Sequence, residues 1–213
     1  MSHTPLDPVL REYADLAQEY DRRWAFYVSA TLRETFRHVR FNGVKSVLDV
    51  GCGTGAVLAE LHRQHPHMTL AGVDATAEML TVARAKLGTA VDLRHDFAEQ
   101  LPFPDGIFDL VVSANSFHYF RQPELALREM FRVLRPGGQV VNTDWCDDYW
   151  TCRACSVWLR WTRRSHHRLY RSRECRHLLA SAGFQQVTLQ RFKVNWLWGM
   201  MTAIGHKPPI GPR

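Results

Sequence analysis

The sequence predicts an α/β fold: an open, mostly parallel sheet of seven strands with helices on both faces and one antiparallel strand near its edge. Three observations carry this expectation. From residue 46 onward, short apolar runs alternate with helix-periodic segments. The first run ends in a glycine-rich turn that opens a helix. The last two runs are joined only by Lys193 to Gly199, too short for a parallel crossover, so that pair is antiparallel.

Taken in order, the first forty residues read as helical, with Leu16, Tyr20, Trp24, Tyr27 and Val28 near helical spacing. Val47 to Val50 is a buried strand, Gly51 to Gly55 a turn, and Thr54 is placed to cap a helix from Ala56 to about His65. Thr69 to Val73 is a second strand, and Thr76 caps a helix to about Leu87. Ala90 to Arg94 and Phe108 to Ser113 are the third and fourth strands. Glu124 to Leu134 is a helix closed by Pro136-Gly137-Gly138, with a fifth strand from Gln139 to Thr143. Arg173 to Ala182 is a helix stopped by Gly183, followed by strands Val187 to Phe192 and Met200 to His206.

A chain of 213 residues, 46% hydrophobic and 23% charged, fits one domain with a sizeable core. No apolar run is long enough to span a bilayer, and Met1 to Leu10 lacks the pattern of a secretion signal, so a cytoplasmic location is expected. The five cysteines are then expected as thiols. Net charge is +6, but unevenly placed: Glu174 is the single acid between Thr151 and Gln190, against eight arginines. Such a field suits an acidic substrate, a membrane surface or nucleic acid; a merely solvated helix face explains it equally well.

Chemistry concentrates in Asp49-Val50-Gly51-Cys52-Gly53-Thr54-Gly55. Glycines after a strand let a ligand approach the backbone, and the helix start beyond offers free N–H groups. Gly51, Gly53 and Ala56 also satisfy a dinucleotide fingerprint, so the loop alone leaves the ligand open. Asp74, ending the next strand, suits the ribose hydroxyls of any adenosine ligand; a strand-end carboxylate or helix cap is the plainer alternative. Three further segments follow at close spacing: His95 to Asp105 with its Leu-Pro-Phe-Pro, Phe108 to Ser113, and Arg132 to Gly138.

With the glycine loop, this ordered set resembles the class I S-adenosylmethionine (SAM)-dependent methyltransferases, nearest to the small-molecule branch that includes the ubiquinone and menaquinone C-methyltransferases. The likeness covers roughly residues 45 to 145. It implies a Rossmann-like fold and SAM as cofactor. It also implies that Gly51, Gly53 and Gly55 pack on the methionine part and that Asp49 orients its ammonium. Asp74 takes the ribose, with Ala75 near the adenine; Asp96 accepts from the adenine amino group beside Phe97. Asn115 contacts the ammonium, and Tyr20 closes over the donor. One domain over 1–213 is expected, with a helical cap over 1–44, the SAM-binding core over 45–145, an acceptor-side cover over 146–172 and the helix and strand pair over 173–213.

His118, after the fourth strand, is the candidate general base, with a hydrogen-bonded structural histidine as the alternative. Asp144, Trp145, Asp147, Asp148, Tyr149 and Trp150 follow the fifth strand and are expected at the same mouth. The implied acceptor is a small molecule, anionic or aromatic; peripheral membrane contact stays open, and nucleic acid is disfavoured. Cys152-x-x-Cys155 supplies two ligands where structural zinc takes four, and His166-His167 lacks finger spacing, so no metal is expected. Two rivals share the glycine loop: a nicotinamide-dependent oxidoreductase, which leaves the Leu-Pro-Phe-Pro segment unexplained and finds no Tyr-x-x-x-Lys pair, and a non-catalytic nucleic-acid-binding protein.

Overall fold

The computed structural model describes residues 8–162 and 168–210. Two helices, α1 (Pro8–Leu16) and α2 (Tyr20–Arg37), precede β1 (Ser46–Val50), α3 (Ala56–Gln64), β2 (Thr69–Asp74), α4 (Ala77–Leu87), β3 (Val91–His95) and β4 (Phe108–Ala114). A 3-10 turn (Phe117–Tyr119) leads to α5 (Pro123–Val133), β5 (Leu134–Trp145), α6 (Trp150–Thr162), α7 (Ser172–Ser181), β6 (Gln185–Lys193) and β7 (Gly199–His206). The strands form one seven-stranded sheet in the order β3-β2-β1-β4-β5-β7-β6. Only β7 runs against the rest, paired antiparallel with both β5 and β6, as the short final connection requires.

Strand alternation divides the core between the two faces. In β1, Leu48 and Val50 join a cluster with Met130 and Leu134, whereas Val47 joins Leu58, Leu61 and Leu80 on the opposite face. The central strands are almost wholly buried, as parallel strands covered on both sides must be.

Local chemistry differs from expectation at three points. Thr54 does not cap α3: the N-cap is Gly55 in left-handed backbone, and the Thr54 hydroxyl donates to Asp21 Oδ1 at 2.6 Å. Thr76 is the N-cap residue of α4 without a capping hydrogen bond of its own; Asp74 Oδ1 accepts its N–H at 2.8 Å. Pro136-Gly137-Gly138 does not close α5 but lies inside β5, which starts directly at Leu134. There Gly137 N–H donates to Lys207 O and Lys207 N–H to Gly138 O, both at 2.9 Å. A Cβ on Gly138 would come within 2.9 Å of Arg135 O and 3.1 Å of Asp109 O, so its glycine serves close backbone approach.

Helix α2 docks through a polar seam. Its buried residues Tyr27, Thr31 and Thr35 all carry hydroxyls. Thr35 Oγ1 donates to Thr143 Oγ1 at 2.7 Å, and Thr143 shares a 3.0 Å hydrogen bond with Thr202. At its start, Asp21 is clipped by Thr54 and by Lys86 Nζ at 2.6 Å. Leu32 and Phe36 supply apolar contact to the core.

Candidate functional site

A cleft opens at the carboxyl ends of β1, β2 and β4, where ligands of open α/β sheets bind. It encloses about 1080 Å³ of non-protein space including its mouth. One wall is the glycine loop, another the ends of β2 and β3, and a third the cap helices, through Leu10, Tyr13, Tyr20 and Val28.

All the residues that the resemblance implies for the cofactor line this cleft, except one. Asp49, Gly51, Gly53, Asp74, Ala75, Asp96, Phe97, Asn115 and Tyr20 are brought together. Gly55 turns away from it: a Cβ there would meet Leu87 Cδ1 at 2.8 Å and Ala83 Cβ at 3.3 Å, so this glycine lets the loop pack on α4. Gly51 and Gly53 both take positive φ, +74° and +52°. Around Gly53 nothing stands within 4 Å of an added Cβ, which leaves its face of the loop open to a ligand.

Two carboxyls, Asp49 and Asp74, dominate the electrostatics of the cleft. Asp49 is fully buried, and neither carboxyl oxygen has a hydrogen-bond partner among the described residues. Burial, and secondarily the neighbouring Asp74, push its carboxyl from 3.8 up to about 8. A buried carboxyl of this kind fits a cationic ligand group, which removes the penalty of ionisation. Asn115 holds left-handed backbone at φ +60°; its Nδ2 donates to Thr31 Oγ1 at 2.9 Å, and its buried Oδ1 has no partner among the described residues. Asp74 accepts from Gly53 N–H and Thr76 N–H, both at 2.8 Å. Each oxygen keeps a lone pair for a ligand hydroxyl. Beyond, Asp96 Oδ1 accepts Phe97 N–H at 2.9 Å, and the half-exposed Phe97 ring lies 4.9 Å below the Arg121 guanidinium. A buried carboxyl, a strand-end carboxylate and a flat ring in this sequence suit an ammonium, a ribose and a purine.

The other end of the cleft is aromatic. Tyr13 donates to Tyr119 Oη at 2.7 Å, and the Tyr13 and Tyr20 rings stand 5.9 Å apart. Burial holds all three phenols above their ordinary range, Tyr20 to about 12, so they stay neutral hydroxyls. Sequence reasoning missed Tyr13 and Tyr119. No periodicity could have found them, since Tyr13 lies on α1, Tyr20 opens α2 after a break at 17–19, and Tyr119 ends the 3-10 turn.

His118 lies behind this lining, not in it: the cleft is lined by Tyr119. His118 is buried, its Nδ1–H donates to Asp144 Oδ1 at 2.6 Å, and its backbone N–H to Asp144 Oδ2 at 2.9 Å. Its ring rests 3.9 Å from that of Tyr119. Among the described residues, none of the stretch 146–172 lines this cleft, whose described outer wall comes from α1 and α2. Arg163, Arg164, His166 and His167 lie outside the described residues. Cys152 is buried, its Sγ accepting Gly199 N–H at 3.0 Å, and all five cysteines are free thiols.

Comparison with known proteins accords with this geometry. Residues 48–142 match a family described as methyltransferase domain. A demethylmenaquinone methyltransferase of Listeria welshimeri is 35% identical over 155 residues, 68% of this chain and 65% of that protein. This chain thus spans just under two thirds of the length of that curated relative. Among solved structures, the methyltransferase partner of the Haloferax volcanii Trm112 activator superposes with a TM-score of 0.80 at 20% identity, covering 92% of this chain and 98% of that one. A SAM-dependent methyltransferase of Thermotoga maritima gives 0.76 at 21% identity, covering 92% and 97%. At these identities the superpositions speak for the fold.

Fold, cleft and matches together resemble the class I SAM-dependent methyltransferases: residues 48–142 match a methyltransferase domain family, and the solved structures share the fold. Within that class, the chain resembles the quinone C-methyltransferases.

Proposed function

We propose that this chain transfers the methyl group of SAM to a small, flat, aromatic acceptor that enters between α1 and Tyr119. The observation that carries the reading is the convergence, in one cleft, of an unpartnered buried carboxyl, a strand-end carboxylate and a tyrosine-lined end. In this reading Asp49 and Asn115 hold the amino-acid part of the cofactor, Asp74 the ribose, and Asp96 with Phe97 the adenine. Bound SAM supplies a methyl group already activated by its sulfonium. What remains for the protein is to hold the acceptor in line and to exclude water. Tyr13, Tyr20 and Tyr119 form the acceptor wall, and α1 with α2 the barrier to solvent. His118, first expected as the base, becomes a positioning residue. Asp144 fixes it, and it backs Tyr119. An acceptor that arrives nucleophilic needs no base.

The Listeria relative is named for demethylmenaquinone, which makes a naphthoquinol the first acceptor to assay with isotopically labelled SAM. Binding is tested by calorimetric titration: SAM and its demethylated product are expected to bind, NAD and NADP not. Nicotinamide binding without SAM binding would reverse the reading. Asp74→Ala is expected to weaken the demethylated product at least about tenfold, since a charge-assisted contact contributes roughly 1.5–3 kcal/mol. Unchanged affinity in a folded variant would return Asp74 to a loop-bracing role.

A further inference from the structure

Large apolar side chains are left exposed on α2, on α6 and on the turn between β6 and β7. Trp150 is 78% exposed, Trp196 77%, Val157 53% and Phe26 51%. Contacts tie their elements together. The Phe26 and Trp198 rings stand 5.7 Å apart, which joins α2 to the turn that carries Trp196. Cys152 Sγ lies 3.6 Å from Leu197 O, which joins α6 to the same turn. Trp150 and Val157 are seven residues apart on α6 and so share one helical face. A line of rings leads from this side to the cleft: Trp198 to Trp145 at 6.3 Å, Trp145 to His118 at 5.7 Å, and His118 to Tyr119 at 3.9 Å.

The same side is strongly basic. Among the described residues, Arg153, Arg171, Arg191 and Lys193 stand together around Asp147, Asp148 and Tyr149. Arg153 and Arg171 both reach Asp147, at 3.4 and 3.5 Å, and Arg191 reaches Asp148 at 3.6 Å. Two carboxylates are thus shared among three half-exposed arginines, and Lys193 stands nearby over the Tyr149 ring at 5.5 Å. Exposed tryptophans flanked by excess cations are the combination that seats a protein on an anionic lipid interface. We propose that this face docks on the surface of an anionic bilayer, with Trp150 and Trp196 entering the headgroup layer and the arginines and Lys193 paired with lipid phosphates.

The test is flotation of the full chain with vesicles of phosphatidylcholine alone and of phosphatidylcholine mixed with phosphatidylglycerol. Binding is expected to the mixed vesicles, falling as salt rises. Trp150→Ala with Trp196→Ala is expected to lower the bound fraction about tenfold or more. Arg153→Gln, Arg191→Gln and Lys193→Gln together are expected to remove the preference for phosphatidylglycerol. Both variants should keep the parent's circular dichroism and its affinity for the demethylated cofactor, a readout that separates loss of docking from loss of fold. The proposal is overturned by the absence of flotation with mixed vesicles, or by a folded tryptophan variant that floats like the parent. It is equally overturned if the tryptophan pair instead supports a dimer in solution, or if the chain retains an oligonucleotide and ignores the vesicles.

Discussion

Asp49→Asn is expected to reduce affinity for SAM and for its demethylated product by about two orders of magnitude, the cost of removing one side of a buried charge pair. Calorimetry at several pH values checks both the loss and its cause. In the free protein the Asp49 carboxyl is pushed up to about 8, so it is protonated at neutral pH. An ammonium ligand needs it ionised. Affinity of the parent protein should therefore rise with pH, by up to about tenfold per unit, and level off near pH 8, with a proton released on binding below that point. The variant should bind weakly with no such slope. Stability moves in the opposite sense. A carboxyl held protonated in the folded state costs nothing below its unfolded value of 3.8, and the cost grows as pH rises to about 8. The ligand-free Asn variant should therefore melt above the parent at pH 8 and match it near pH 4. A variant that binds like the parent at every pH would remove Asp49 from the cofactor site.

Gly51→Ala is expected to be strongly damaging. Its φ of +74° already disfavours any side chain, and the added Cβ would overlap Ser116. Ser116 has little room to yield, because its hydroxyl is tied to Ser113 Oγ at 2.8 Å and Val50 O at 3.1 Å. Left-handed strain of about 1–2 kcal/mol and overpacking of about 1–3 kcal/mol add to roughly 3 kcal/mol. In a domain of this size that corresponds to a fall in Tm of about 10 °C, with cofactor binding lost. Gly53→Ala is the informative control. Its φ is +52° but its Cβ would meet nothing within 4 Å. It should melt close to the parent, about 1 kcal/mol less stable, yet bind the cofactor poorly because the methyl projects into the cleft. If both variants melt alike, the crowding at Ser116 is not what makes Gly51 a glycine.

The order of strands and helices was legible because each signal is local: apolar runs, glycine turns, and a connection from Lys193 to Gly199 too short to cross over. That Asp49, Gly51, Gly53, Asp74 and Asp96 share one cleft follows from their places at or beside strand ends, while the roles expected of them came from the family resemblance. Features decided by distant partners were not. Thr54 looks like a helix cap until Asp21, thirty-three positions away, takes its hydroxyl. Pro136-Gly137-Gly138 looks like a turn until Lys207 pairs across it. Tyr13 was passed over, because periodicity reports which face a residue shares and not whether that face meets protein or a cavity. The expectation of an acceptor cover over 146–172 rested on distinctive composition, which carries no positional signal of its own.

The fastening of α1 and α2 carries a kinetic consequence. These helices close the cleft largely through side-chain hydrogen bonds: Tyr13 to Tyr119, Asp21 to Thr54 and Lys86, Thr35 to Thr143. Water replaces such partners at little net free energy, whereas the apolar layers on the two faces of the sheet have no such exchange. The cap can therefore lift while the sheet stays intact, and it does so as a unit whose release depends on solvent rather than on unfolding. On the proposed function, the expected order is acceptor and cofactor held while the cap is shut and the spent cofactor released when it opens. Loosening these fastenings, as by Thr35→Val, is then expected to change the rate of cofactor release more than the stability of the sheet.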